Sequence, residues 1–171
     1  MTANEFSQIH IEKLVSALAS KKLKITFAES CTGGLLSAAL TDVPGSSAVF
    51  EGAVCCYSDR VKSGILGVDG QTLERYTAVS AQSAYGMALN ALKLFKADIA
   101  VAVTGYAGIR DKDLGIRGRG TGNGTVYICV LSPNEKTVWR CFFSGDRQTV
   151  RKKAVRFALK QTLRIVCGRG R

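Results

Sequence analysis

LKITFAESCTGGLLSAAL, residues 23–40, changes its hydrophobic rhythm halfway along. Residues 23–28 alternate with the period of a strand, whereas residues 35–40 are apolar in the manner of a helix. Between them stand Glu29, Ser30, Cys31 and Thr32, followed by Gly33 and Gly34. The spacing predicts a strand-to-helix turn, with the helix beginning at Thr32 or Gly33 and running to about 41.

The flanking sequence repeats this alternation. Ile11, Leu14, Val15 and Leu18 recur at helical spacing, so a first helix is expected over 5–20. Pro44, Gly45, Ser46 and Ser47 read as a loop. Residues 52–57 read as a buried strand and 59–66 as a short helix. Ser80 is placed to cap a helix whose apolar face is Ala84, Met87, Ala88, Ala91, Leu92 and Phe95. Residues 98–104 are apolar on both faces, as in a sheet covered by helices on each side. Residues 105–123 are rich in glycine and charge and lack periodicity. Strands at 124–131 and 136–143 flank a hairpin turn at Ser132-Pro133-Asn134-Glu135, and a last helix spans 147–166. Five strands interleaved with helices and ending in a hairpin predict an α/β sandwich with a mixed sheet. With no repeat or linker, one domain is expected across residues 1–171.

Composition narrows the function classes. At 171 residues, 46% hydrophobic and 22% charged, the chain is a normal soluble globular domain with a sizeable core. No apolar run approaches a membrane span, and residues 1–20 lack the pattern of a signal peptide. Six cysteines without C-x-x-C spacing suggest free thiols in a reducing cytoplasm. Net charge is +11, and residues 147–171 carry nine Arg and Lys and no acid. These basic residues are expected to spread around the last helix as a solvated face, without aromatic neighbours that would stack bases. No specific nucleic-acid site and no membrane contact are therefore expected. Homo-oligomer formation is left open.

At the turn two readings stand. It is an ordinary capped helix start, since Ser and Thr cap helices and Gly fits tight turns. Or its unpaired N–H groups receive an anion, including the oxyanion of acyl transfer, beside a nucleophile at Ser30 or Cys31. A serine nucleophile needs a base. His10 is the sole histidine and lies on the first helix, far along the chain. A lysine serves instead where burial or nearby positive charge favours its neutral form. Lys62, in YSDRVK (57–62) after the second strand, is the candidate; a solvated surface lysine is the other reading. No cluster has metal-ligand spacing, and no phosphate loop of the G-x-x-x-x-G-K-[ST] type occurs, so neither metal nor other cofactor is expected.

Six segments in order, AESCTGG (28–34), PGSSAVFEG (44–52), YSDRVK (57–62), AVTGYAG (102–108), GTV (124–126) and SGDR (144–147), resemble the C-terminal domain family of competence/damage-inducible CinA proteins. That family includes stand-alone nicotinamide mononucleotide deamidases. The resemblance covers about residues 15–163. It implies a three-layer α/β/α fold with a mixed, mostly parallel sheet. It also implies metal-free hydrolysis of nicotinamide mononucleotide to nicotinate mononucleotide and ammonia. Carried over by motif, Ser30 is the nucleophile, Lys62 the general base and Tyr57 an assisting hydroxyl. Backbone N–H groups at Thr32, Gly33 and Gly34 are candidates for the oxyanion hole. Ser46, Ser47, Thr104 and Gly105 would line the substrate pocket. Arg147, at the start of the last helix, would hold the substrate's phosphate, with Asp146 as helix cap. The chain departs from the family pattern after the central strand, where a Pro-Gly-Gly turn gives way to Gly108-Ile109-Arg110-Asp111 and a longer charged stretch. A diverged nucleotide- or partner-binding domain, linked to competence or DNA damage, is the alternative to an enzyme.

Overall fold

The computed structural model describes residues 3–108 and 124–168, with side chains from residue 8 onward. The charged stretch 109–123 lies outside the described residues. In chain order the elements are α1 (Ala3–Ser20), β1 (Ile25–Glu29), α2 (Leu35–Thr41), a 3₁₀ turn (Ser46–Ala48), β2 (Phe50–Cys55), α3 (Asp59–Gly64), α4 (Gly70–Tyr76), α5 (Ala81–Phe95), β3 (Ile99–Gly105), β4 (Thr125–Leu131), β5 (Lys136–Phe142) and α6 (Arg147–Cys167).

The strands form one sheet in the order β2-β1-β3-β4-β5. β2 and β3 flank β1 in parallel, β4 opposes β3, and β5 opposes β4. Four strands thus point one way and β4 points against them, which is the expected mixed five-stranded sheet.

Strand alternation splits the core in two. Ile25 and Phe27 of β1, Val101 and Val103 of β3, and Ile128 of β4 pack with Leu14 and Leu18 of α1, Leu36 and Leu40 of α2, and Ala154 and Ala158 of α6. Ala28, Ala100, Ala102 and Cys129 face the other way, against Ala84, Met87, Ala88 and Ala91 of α5. Large branched residues fill the side covered by three helices, and small ones let α5 lie close. The result is the three-layer arrangement. Burying a side chain such as Phe27 contributes roughly 1.5–3 kcal/mol.

Local signals explain the boundaries. The Ser80 hydroxyl accepts from Ser83 N–H and starts α5, as its position suggested. Ser132 N–H donates to the Glu135 carbonyl at 2.8 Å and closes the hairpin between β4 and β5. Two expectations need correction. First, α2 begins at Leu35, because Gly33 and Gly34 take left-handed φ values of 58° and 95° that delay the helix. Second, β2 runs from Phe50 to Cys55 and is only half-buried, since it is the edge of the sheet. No expectation covered α4: none of its residues is buried, so no periodicity revealed it, and it starts on the Asp69 cap. The basic residues of α6 divide, Arg147 and Arg151 bonding to the segments after β3 and β1 while Lys152, Arg156, Lys160 and Arg164 face outward. Spaced four apart and all exposed, these last four line one side of the helix. Among the described residues no helix is long and apolar enough to cross a membrane.

Candidate active site

The C-terminal ends of β2, β1 and β3 lie side by side. The β1–α2–β2 crossover passes over one face, whereas α5 leads from β2 to β3 on the other. The ends of β1 and β3 therefore border the point where the winding reverses, where open α/β sheets present their crevice.

The turn after β1 holds Glu29. Its side chain, 1% exposed, accepts from the N–H groups of Gly34 and Leu36 at 3.0 Å each. It also accepts from Ser37 N–H at 2.9 Å and Ser37 Oγ at 2.7 Å. The positive end of α2 is thus neutralised by the chain's own carboxylate. Neither Ser30 nor Thr32 caps α2; Glu29 takes that role from the end of the strand. This alters the supply of oxyanion donors. Gly34 N–H is committed to Glu29, and Gly33 N–H donates to Ser30 O at 3.1 Å. Among the described residues the Thr32 N–H has no partner. The fully buried Thr32 hydroxyl has none either.

Ser30 is 7% exposed, and its N–H donates to Val103 O at 2.9 Å, extending the β1–β3 ladder by one residue. The alternation carried one step further assigns Ser30 to the side of the sheet where Val61 and Leu66, flanking Lys62, pack with α5. Cys31 falls on the opposite side and packs in the core beneath α1, α2 and α6. Burial pushes its thiol up to about 12, against the lowering influence of Arg151 and Arg147. It is a protonated core residue at neutral pH.

Lys62 is buried, with 1% exposure, and not the solvated lysine its sequence context allowed. Its Nζ donates to the Tyr57 carbonyl at 3.3 Å and lies 3.5 Å from Asp59 Oδ1, on a side chain that is 64% exposed. Ser58 starts α3 by accepting from Val61 N–H, which fixes the helix carrying Lys62. Burial pushes the thiol of Cys56, next to Tyr57, up to about 11.

Tyr57 follows β2 and is 60% exposed. Its hydroxyl accepts from Arg147 Nη2 at 2.7 Å, while Arg147 Nη1 donates to the Ala107 carbonyl at 2.8 Å. Arg147 therefore bridges the segments following β2 and β3, which flank the end of β1. A Cβ on Gly108 would stand 2.7 Å from Arg147 Cβ, so glycine admits this approach. Asp146 caps α6 by accepting from Thr149 N–H at 2.7 Å, as expected.

Of the four pocket candidates, two stay near Ser30 and two do not. The Thr104 hydroxyl is buried and donates to the Ala78 carbonyl at 2.7 Å, tying β3 to the segment before α5. A Cβ on Gly105 would meet Thr125 O at 2.7 Å, so this glycine serves the close approach of β3 and β4. Both stay at the Ser30 end of the sheet. Ser46 and Ser47 do not: their 3₁₀ turn precedes β2, and Ile25 N–H, at the start of β1, donates to Val49 O beside them. They lie at the opposite end of the strands because α2 carries the chain back across the layer.

Sequence reasoning missed Arg151. Its Nε donates to Cys31 O at 3.0 Å and its Nη2 to Thr32 O at 2.7 Å. The available signal was its spacing of four from Arg147, which sets both on one side of α6. Among the described residues no group of three or more His, Cys, Asp or Glu side chains gathers as a metal seat.

Comparison with known proteins gives a consistent result. The CinA C-terminal domain model matches residues 7–166. A CinA-like protein of Thermotoga neapolitana is 42% identical over 94% of this chain and 38% of its own length. A protein of Shigella flexneri named nicotinamide-nucleotide amidohydrolase PncC is 40% identical over 95% of both chains. The crystal structure of a competence or damage-inducible protein from Enterobacter asburiae superposes with a TM-score of 0.86 at 38% identity, covering 94% of this chain and 98% of that one. The chain spans 33–39% of the length of the first three curated relatives it matches. The match across nearly all of the described fold establishes that the chain belongs to the CinA C-terminal domain family.

Proposed function

We propose that this domain is an amidohydrolase that converts nicotinamide mononucleotide to nicotinate mononucleotide and ammonia, a step of pyridine nucleotide salvage. The observation that carries this reading is the buried Lys62, set after β2 while Ser30 lies after the neighbouring β1. The relative named for this activity, which matches along almost its whole length, supports the substrate class.

Ser30 Oγ would attack the carboxamide carbon while neutral Lys62 accepts the hydroxyl proton. The tetrahedral intermediate would expel ammonia, with Lys62 returning the proton to the leaving nitrogen. Water, deprotonated in turn by Lys62, would hydrolyse the resulting ester and release the carboxylate and Ser30. Tyr57 holds Lys62 through its carbonyl and Arg147 through its hydroxyl. Arg147 keeps further N–H donors for the substrate's phosphate. With all six cysteines free, a reducing cytoplasm is the proposed setting. The intact Ser30, Tyr57 and Lys62 set speaks against a silent binding domain.

The test is incubation of the purified protein with nicotinamide mononucleotide, following both ammonia and nicotinate mononucleotide. Stoichiometric release of the two, lost in Ser30→Ala, is expected. Release of nicotinamide, or of nothing, would overturn the assignment.

A further inference from the structure

We infer that Arg151 is a positioning residue for this site: from α6 it grips the carbonyls of Cys31 and Thr32 and so presents the Thr32 N–H as the backbone donor to the oxyanion. This deepens the amidohydrolase reading and rests on Ser30 as its nucleophile.

The peptide unit supplies the reasoning. The described chain contains no cis peptide bond. In a trans peptide the carbonyl of one residue and the N–H of the next point in opposite directions. Arg151 Nε holds Cys31 O at 3.0 Å, so the Thr32 N–H of that same peptide is turned away from Arg151. Arg151 Nη2 holds Thr32 O at 2.7 Å, which fixes the following peptide, whose Gly33 N–H folds back onto Ser30 O. Two successive peptide planes are thus locked by one planar guanidinium, which a flexible ammonium would not reproduce. The fit is close: a Cβ on Gly33 would lie 3.2 Å from Arg151 Nη2.

The three amides first considered are therefore not equivalent. Gly34 serves Glu29 and Gly33 serves Ser30, whereas among the described residues Thr32 N–H has no partner. The Thr32 hydroxyl is likewise buried and unpartnered. Two unsatisfied donors on one residue, two positions after Ser30, are what an absent acceptor leaves behind. In the tetrahedral intermediate that acceptor is the negatively charged carboxamide oxygen. Arg151 itself spends the donors described here on the turn, so its part is to hold the donor and not to touch the substrate.

The test compares parent, Arg151→Lys and Arg151→Ala in two independent measurements. The first is steady-state deamidation of nicotinamide mononucleotide. Loss of a single oxyanion donor lowers kcat by about 100–1,000-fold. Arg151→Ala, which loosens the donor, is expected to lose roughly 10–100-fold in kcat with KM nearly unchanged. Added guanidinium ion is expected to restore part of that rate, and added ammonium is not. The second is hydrogen exchange, which needs no turnover. Exchange in residues 30–34 is expected to quicken in Arg151→Ala, while α6 and the sheet stay protected. Unchanged kcat in Arg151→Ala, or a loss confined to KM, would overturn the proposal. So would unchanged exchange at the turn, even if the parent proved inactive on this substrate. A parent that exchanges as expected but releases no ammonia would instead count against the amidohydrolase reading.

Discussion

The hydroxyl of Tyr57 accepts a hydrogen bond from Arg147 Nη2 at 2.7 Å, joining the segment after β2 to the first residue of α6. Through its own carbonyl the same residue accepts from Lys62. Tyr57→Phe removes only the first of these links. A hydrogen bond to a charged group contributes about 1.5–3 kcal/mol, and the exposure of this one places it at the lower end. The variant is expected to bind nicotinamide mononucleotide about 10-fold more weakly, with kcat reduced less. Steady-state kinetics check this. A collapse of kcat at unchanged KM would instead assign the phenol to the chemical step.

Glu29 is the keystone of the turn. Replacing it by Gln leaves the shape but puts an amide where α2 offers donors. At least one buried N–H then loses its acceptor, and about 3 kcal/mol of stability should go with it. For a domain of this size that corresponds to a fall in Tm of roughly 6–12 °C. Differential scanning calorimetry of Glu29→Gln reads the effect directly. Parent-like stability would show that α2 finds its cap elsewhere.

Cys31 is adjacent to the nucleophile but is not one. With its thiol pushed up to about 12 by burial, almost none is ionised at neutral pH. Cys31→Ala should keep activity within about threefold and lose on the order of 1–2 kcal/mol from the small cavity. Brief iodoacetamide treatment of the native protein should leave activity intact. Rapid inactivation by alkylation at Cys31 would contradict this.

Acid stability should depend on two helix caps. Asp146 is held below its ordinary value of 3.8, first by the hydroxyl and then by the N–H of Thr149. Asp69 is lowered in the same way by Thr72. A depressed carboxyl contributes stability that is fully present above the unfolded value. That contribution is lost as pH falls through the lower folded one. Urea unfolding between pH 5 and below 3 should therefore show a shallower decline in Asp69→Asn/Asp146→Asn than in the parent. Parallel curves would mean that the caps contribute nothing specific.

Much of this was legible because it is local. The period-two run before Glu29, the apolar face of α5 and the Ser80 cap each state their own structure. The end of β1 followed by two glycines announced a turn with chemistry. What was hidden depends on the third dimension. Burial of Lys62 follows from α3 folding onto the α5 layer, and nothing within YSDRVK records that. Glu29 as a cap needs a strand residue to reach the helix that follows it. Arg151 touches residues 119 and 120 positions away. Ser46 and Ser47 carry a recognisable motif, yet α2 returns them to the far end of the strands. The start of α2 was misplaced for a smaller reason: two left-handed glycines postponed the first helical residue.

The central claim is that Ser30 and Lys62 together hydrolyse an amide. One measurement addresses it most directly: ammonia released from nicotinamide mononucleotide by the parent, Ser30→Ala and Lys62→Arg, each first shown to be folded by calorimetry. The expected result is turnover by the parent and background release by both variants, since alanine offers no nucleophile and a guanidinium cannot accept a proton near neutral pH. Turnover by folded Lys62→Arg at the parent rate would contradict the account.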